Sequence, residues 1–207
     1  MLGAAVFGTD GPATGEHVRA YQRCGHTRLV AVGSRPGDAA LAYAREAGAA
    51  DAFVSKDFEA VLQHPDVELI SITAAPEQRA EMAVRAARAG KHVCIEAPMA
   101  TTLAECRAVQ AAVAEAGVCG MVFFRLRAHP VLAAAGDLVD QGALGVPGYL
   151  AVNCWEGPEP DARAAAICDA ADALCRLRGR AGAMAEVFAH SGVLLCRFAN
   201  GVAGRVG

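Results

Sequence analysis

Asp169 and Asp172 stand three residues apart in the stretch AAICDAADALCRLRG, so on a helix their carboxylates share one face. Two carboxylates that close can couple, raising the proton affinity of one and making it a candidate general acid or base. A pair of solvated aspartates on a helix surface fits the same spacing. Upstream, RLRAHP offers Arg127 and His129 as contacts for an oxyanion or a carboxylate. Near the start of the chain, VFGTDGPATGEH joins an apolar run to a helical one through glycines. Free backbone N–H groups and a helix dipole hold a pyrophosphate in such a place. The strict G-x-G-x-x-G spacing fails, because from Gly8 the third position is Asp10 and the sixth is Ala13. With Asp10 taken as an insertion, Gly8, Gly11 and Thr14 fill the three places, although a plain glycine-rich turn fits them too. The next apolar run ends in GSRPGD, where a site selective for NAD carries an acidic residue. Ser34 and Arg35 stand there instead. A hydroxyl and a guanidinium suit a 2′-phosphate and favour NADP over NAD; a solvated loop arginine is the simpler alternative.

Alternating strand and helix patterns must position these residues, and alternation of that kind signals a parallel sheet covered by helices. Strands are expected at GAAVFG, RLVAVGS, AFVS, VELISITAA, HVCIEAP and VCGMVFF. Helices are expected between them, one with Asp57 as N-cap and one running from Pro76 to Gly90, the proline-first and glycine-last asymmetry of helix ends. This reading gives a doubly wound α/β Rossmann domain over residues 1–123. Residues 124–207 read differently: a helix closing near Gly142, the strand PGYLAVNCW and the helix DARAAAICDAADALCRLRG come first. EVFAHSGVLLCRFANGVAGRVG then reads as two strands turning at Asn200–Gly201. These elements make a shortened α+β domain with a mostly antiparallel sheet.

Composition narrows the partners. A formal charge of −3 over 207 residues lacks the basic face that nucleic acid requires. No apolar run reaches the length of a membrane helix, and MLGAAVFG has no charged leader, so a cytoplasmic protein is expected. The eight cysteines are scattered without a CxxC, which argues for core thiols and against a metal site.

The glycine-rich turn, LVAVGSR, DFEAVLQHPDVELISIT, AVRAARAGKHVCIEAPMATTLAE, FFRLRAHP and GALGVPGYL follow one another as in the Gfo/Idh/MocA oxidoreductases, the family of glucose-fructose oxidoreductase and inositol dehydrogenase, and the chain resembles that family over nearly its whole length. The resemblance implies hydride transfer between a nicotinamide cofactor and a sugar, polyol or related carbonyl compound. It adds Thr9, Thr73, Ala74 and Glu96 to the candidate cofactor contacts, and implies a homodimer formed through the C-terminal sheet. It also exposes departures. Where the family reads Glu-Lys-Pro, GKHVCIEAPMATT keeps Glu96 and Pro98 but has Ala97 in place of the lysine that faces the reacting oxygen. The family's acid/base histidine falls at Asp169. Ala75 and Arg79 occupy the proline and histidine positions of a TPxxxH motif, and Arg127 matches a family arginine. A shortened member with altered catalytic residues leaves three functions open. One is an NADP-dependent oxidoreductase with a non-standard acid/base set of Asp169, Asp172, Arg127 and His129. The others are a redox-neutral enzyme on the same scaffold and a non-catalytic binding protein, with or without a bound cofactor.

Overall fold

The computed structural model describes residues 1–9, 12–35, 38–46, 48–49, 51–145, 149–153, 160–177, 184–190, 193–199 and 203–206. Two compact units divide the chain, Met1–Phe123 and Phe124–Gly207.

In the first unit β1 (Leu2–Thr9), α1 (Pro12–Arg23), β2 (Thr27–Arg35), α2 (Asp38–Glu46), β3 (Phe53–Ser55) and α3 (Phe58–Leu62) form one half. The other half is β4 (Leu69–Thr73), α4 (Pro76–Arg88), β5 (His92–Glu96), α5 (Leu103–Ala116) and β6 (Gly120–Phe123). The strands lie in the order β3-β2-β1-β4-β5-β6, and every pairing is parallel. This is a Rossmann-type doubly wound sheet whose strand order reverses between β1 and β4. Because strand side chains alternate, β1 sends Val6 towards Val18 of α1 and Ala40 and Ala44 of α2. Ala5 and Phe7 go to the opposite face with Phe58, Val61, Ala83 and Val109 of α3, α4 and α5. Burial on both faces explains why β4 reads LISIT with no apolar alternation.

Local signals fix the helix ends. Asp57 accepts from the Glu59 N–H at the start of α3, and Pro76 opens α4. Thr102 and Glu105 close a reciprocal capping box at α5, which Gly117 ends at φ 65°.

The second unit begins with a 3-10 turn at Arg125–Ala128, followed by α6 (Pro130–Asp140), β7 (Tyr149–Val152) and α7 (Pro160–Leu177). Three strands close it: β8 (Met184–His190), β9 (Val193–Phe198) and β10 (Ala203–Val206). EVFAHSGVLLCRF is thus a hairpin and not one strand, since β8 and β9 pair antiparallel with His190 opposite Val193. The sequence carries turn-type Ser191 and Gly192 between them. The sheet order is β7-β10-β9-β8; β9 pairs antiparallel with both neighbours, while β10 runs parallel to β7. The expected turn at Asn200–Gly201 lies outside the described residues. On one face Leu150, Val152, Cys196, Phe198 and Val206 pack against Ala170 and Leu174 of α7. The opposite face leaves Tyr149 57% and Leu195 47% exposed.

Candidate functional site

The first unit converges its polar side chains on the carboxyl ends of β1, β4 and β5. Gly8 is there because Thr73 is: a Cβ at position 8 would lie 2.0 Å from Thr73 Oγ1 and 2.6 Å from its carbonyl carbon. Thr73 Oγ1 in turn meets Thr14 Oγ1 at 2.7 Å, both groups buried, so α1 is pinned to the tip of β4 at its first turn. Ala74 follows, also buried. Thr9 ends β1, and Ser34 and Arg35 end β2 as adjacent register partners of Gly8 and Thr9. The side chains of Thr9, Ser34 and Arg35, and Gly11 altogether, lie outside the described residues. The backbone nonetheless brings the ends of β1 and β2 beside the start of α1, where a pyrophosphate and an adenosine ribose sit in such sheets.

Glu96 ends β5. Its Oε1 is 2.9 Å from His17 Nε2, and His17 Nδ1 is 3.0 Å from Ser71 Oγ on β4. Tyr21 OH reaches the same Ser71 oxygen at 2.7 Å. The edge of His17 rests on Phe123, with ring centroids 5.1 Å apart. Burial pushes the Tyr21 phenol up to about 12, with Ser71 opposing the shift. Burial likewise pushes the neighbouring Cys94 thiol up to about 11, against a Ser71 hydrogen bond and with the Glu96 charge adding to it. The sequence reading missed this chain. Its signal was Thr14, His17 and Tyr21 at helical spacing on one face of α1, together with a lone serine inside LISIT.

Beyond Glu96 the chain turns through a cis Ala97–Pro98 bond, and Ala97 is only 4% exposed. Arg79 holds this turn. Its Nε donates to the Ala74 carbonyl at 2.7 Å, and Nη1 donates to the carbonyls of Pro98 at 2.8 Å and Glu96 at 3.3 Å. One guanidinium therefore ties the tip of β4 to the turn after β5, a use that the sequence did not announce.

In the second unit α7 carries both Asp169 and Asp172, as their spacing required. Arg125 Nε lies 3.4 Å from Asp169 Oδ2, and Arg127 Nε lies 3.1 Å from Asp172 Oδ2. Arg127 approaches Asp172 through its terminal nitrogen as well, in the fork geometry of a bidentate pair. These bonds push the Arg127 guanidinium up. His129 caps α6 with its backbone only. Three of the four candidate acid/base residues thus stand in one neighbourhood, with both carboxylates engaged by arginines. Among the described residues no cluster of His, Cys, Asp and Glu could hold a metal ion. An apolar cleft of about 540 Å³ lies between α5 and strands β5 and β6, lined mainly by aliphatic residues such as Val93, Val109, Val113 and Met121. It offers few of the donors that a dinucleotide needs.

A doubly wound sheet with a polar cradle at its switch point defines a nucleotide-binding class of protein, and comparison makes the class specific. The chain belongs to the Gfo/Idh/MocA family: the profile described as "Oxidoreductase family, NAD-binding Rossmann fold" matches residues 2–124. A levoglucosan dehydrogenase of Pseudarthrobacter phenanthrenivorans is 34% identical over 91 residues, 44% of this chain and 23% of that protein. Among solved structures, GenD2 from gentamicin A biosynthesis, in complex with NAD, superposes with a TM-score of 0.86 at 23% identity, over 99% of this chain and 64% of that one. KijD10, a 3-ketoreductase from Actinomadura kijaniata in complex with TDP-benzene and NADP, gives 0.79 at 22% identity, over 99% and 68%. The chain therefore spans about two thirds of these solved chains and under a quarter of the levoglucosan dehydrogenase.

Proposed function

We propose that the chain binds a nicotinamide dinucleotide at the switch point of its first unit and serves NADP-linked hydride transfer on a sugar, polyol or related small hydroxyl or carbonyl compound. The observation that carries the reading is the pinning of α1 by Thr14 and Thr73 against the ends of β1 and β4, which holds the helix N-terminus at the crevice. Gly8, Thr9, Gly11, Thr14, Thr73, Ala74 and Glu96 are the proposed contacts, and Ser34 and Arg35 the proposed readers of the 2′-phosphate. The family's relatives bearing NAD and NADP support a nicotinamide cofactor of either kind; the residues ending β2 favour NADP. When bound, the cofactor supplies the hydride acceptor or donor. This chain's residues hold its phosphates, order the turn at Glu96–Ala97–Pro98 and manage the proton.

A second reading has its own support. Ala97 brings no titratable group, and Asp169 and Asp172 are already engaged by Arg125 and Arg127. As proposed acid/base groups the two aspartates must first loosen an arginine, and His129 makes no side-chain capping bond. Redox-neutral proton chemistry, or binding without turnover, fits residues of these kinds at these positions. The chain is further proposed to work in the cytoplasm, a reducing compartment that suits its free thiols Cys24, Cys94 and Cys196, and to form homodimers through the face bearing Tyr149 and Leu195.

The test is cofactor preference joined to turnover. NADPH should bind more tightly than NADH by about 1–3 kcal/mol, the worth of a charge-assisted pair, and Arg35→Ala should erase the difference. Equal affinities in the unmutated protein would remove the NADP assignment. Oxidation of simple polyols should be very slow; ordinary turnover would show that the loss of lysine at 97 matters little.

A further inference from the structure

The buried chain behind Glu96 has a direction. Glu96, as a carboxylate, can only accept, so His17 Nε2 carries the proton between them. In a neutral imidazole Nδ1 then accepts, and the hydrogen must come from Ser71 Oγ. Ser71 has no second hydrogen to give, so Tyr21, whose phenol stays protonated, donates to Ser71. Every donor in the sequence Tyr21, Ser71, His17 points towards Glu96. A serine, an imidazole and a carboxylate in line resemble a nucleophilic triad, but Ser71 is 0% exposed and no substrate can reach it. With the imidazole neutral, the chain is instead an array of dipoles that carries its charge on Glu96. The groups facing His17 are Ser71 from β4, Tyr21 from α1, and Glu96 and Phe123 from β5 and β6; Cys94 adjoins Ser71, and the Arg79 guanidinium faces the backbone carbonyl of Glu96.

A dinucleotide laid across the switch point places one nucleotide over β1–β2–β3 and the other over β4–β5–β6. With the 2′-phosphate read at the end of β2, the nicotinamide falls to the half whose middle strand ends at Glu96. The oxidised ring carries a positive charge and the reduced ring none. An anion held at that strand tip therefore discriminates between the two redox states; the Arg79 guanidinium keeps its positive charge and offsets part of that field, so the effect is read as the change on removing the Glu96 charge while Arg79 stays in place.

We propose that His17 is a positioning residue that holds Glu96 as a fixed anion, and that this pair sets the preference of the site for oxidised over reduced nicotinamide cofactor. The proposal rests on the cofactor reading above. In Glu96→Gln the ratio of dissociation constants, NADP+ over NADPH, should rise about tenfold, the size of one screened charge interaction. In His17→Phe the carboxylate loses the hydrogen bond that holds its Oε1 in place, so the ratio should move in the same direction as in Glu96→Gln. The double variant should go no further than either single one, since both act through one charge.

The experiment is titration of each variant with NADP+ and NADPH, beside nitrogen NMR of the imidazole in the unmutated protein. A ratio unmoved by Glu96→Gln or His17→Phe, or multiplicative effects in the double variant, overturns the proposal while leaving cofactor binding intact. Failure of the unmutated protein to bind either form overturns the cofactor reading and the proposal with it. Should His17→Phe not fold, the NMR decides: the neutral Nε2–H tautomer with a bond to the carboxylate supports the proposal, and an Nδ1–H tautomer or an imidazolium protonated on both nitrogens overturns it.

Discussion

Thr73 dictates what can stand at position 8, and the dependence is severe because a Cβ there meets its backbone as well as its hydroxyl. Gly8→Ala should therefore cost about 1–3 kcal/mol in urea unfolding, and adding Thr73→Ala should not restore it, since the carbonyl carbon remains in the way. Unchanged stability in Gly8→Ala would show that β1 and β4 part more easily than their register suggests. Residues of this kind were partly legible: the glycine-rich turn announced itself, but its partner across the sheet did not, because Thr14 and Thr73 are 59 positions apart. The link from Ser71 through His17 to Glu96 was hidden for the same reason. A polar residue in an apolar run looks like noise until the fold supplies its partner. Arg79 was noticed as a departure from a motif, and only the geometry shows that it binds three carbonyls.

Helix ends were the most readable elements, since their signals are local. Asp57 caps α3 and Pro76 opens α4 as the sequence led one to expect, and the structure adds the capping box of Thr102 and Glu105 at α5. Thr102→Ala should cost about 1 kcal/mol in denaturant unfolding. Hydrogen bonds from Thr101 and then Thr102 hold the Glu105 carboxyl below its usual 4.5, so its contribution is present above that pH and fades as pH falls through the lower folded-state value. Unfolding measured across the acid range should show that loss, and Glu105→Gln should flatten it; an identical pH slope in both proteins would contradict the assignment. Strand pairing was less readable. The split of EVFAHSGVLLCRF into β8 and β9 rests on antiparallel pairing that competing single-strand patterning conceals, and the parallel union of β10 with β7 is a non-local choice.

The whole chain joins a unit whose sequence pattern was nearly complete to one that packs a four-stranded sheet against α7. Leu150, Val152 and Phe198 turn to that helix, and on the opposite face Tyr149 and Leu195 stand with exposed Arg197 and Arg205. Association through this face should respond to one charge: Leu195→Arg should convert a dimer to a monomer near 21.2 kDa by light scattering, and a monomeric unmutated protein would end the dimer proposal. Family membership was legible through the glycine-rich turn and the Glu96–Ala97–Pro98 segment. The pairing of Asp169 and Asp172 with Arg125 and Arg127 was not, because it depends on contacts more than forty positions apart. All of it stands on the switch-point cradle of the first unit. Titration of the purified chain with NADPH, followed by the cofactor's own fluorescence, measures that cradle. The account predicts saturable one-to-one binding that NADP+ displaces and that Thr14→Ala or Thr73→Val weakens. Fluorescence rising without saturation into the millimolar range, with no displacement by NADP+, would contradict it.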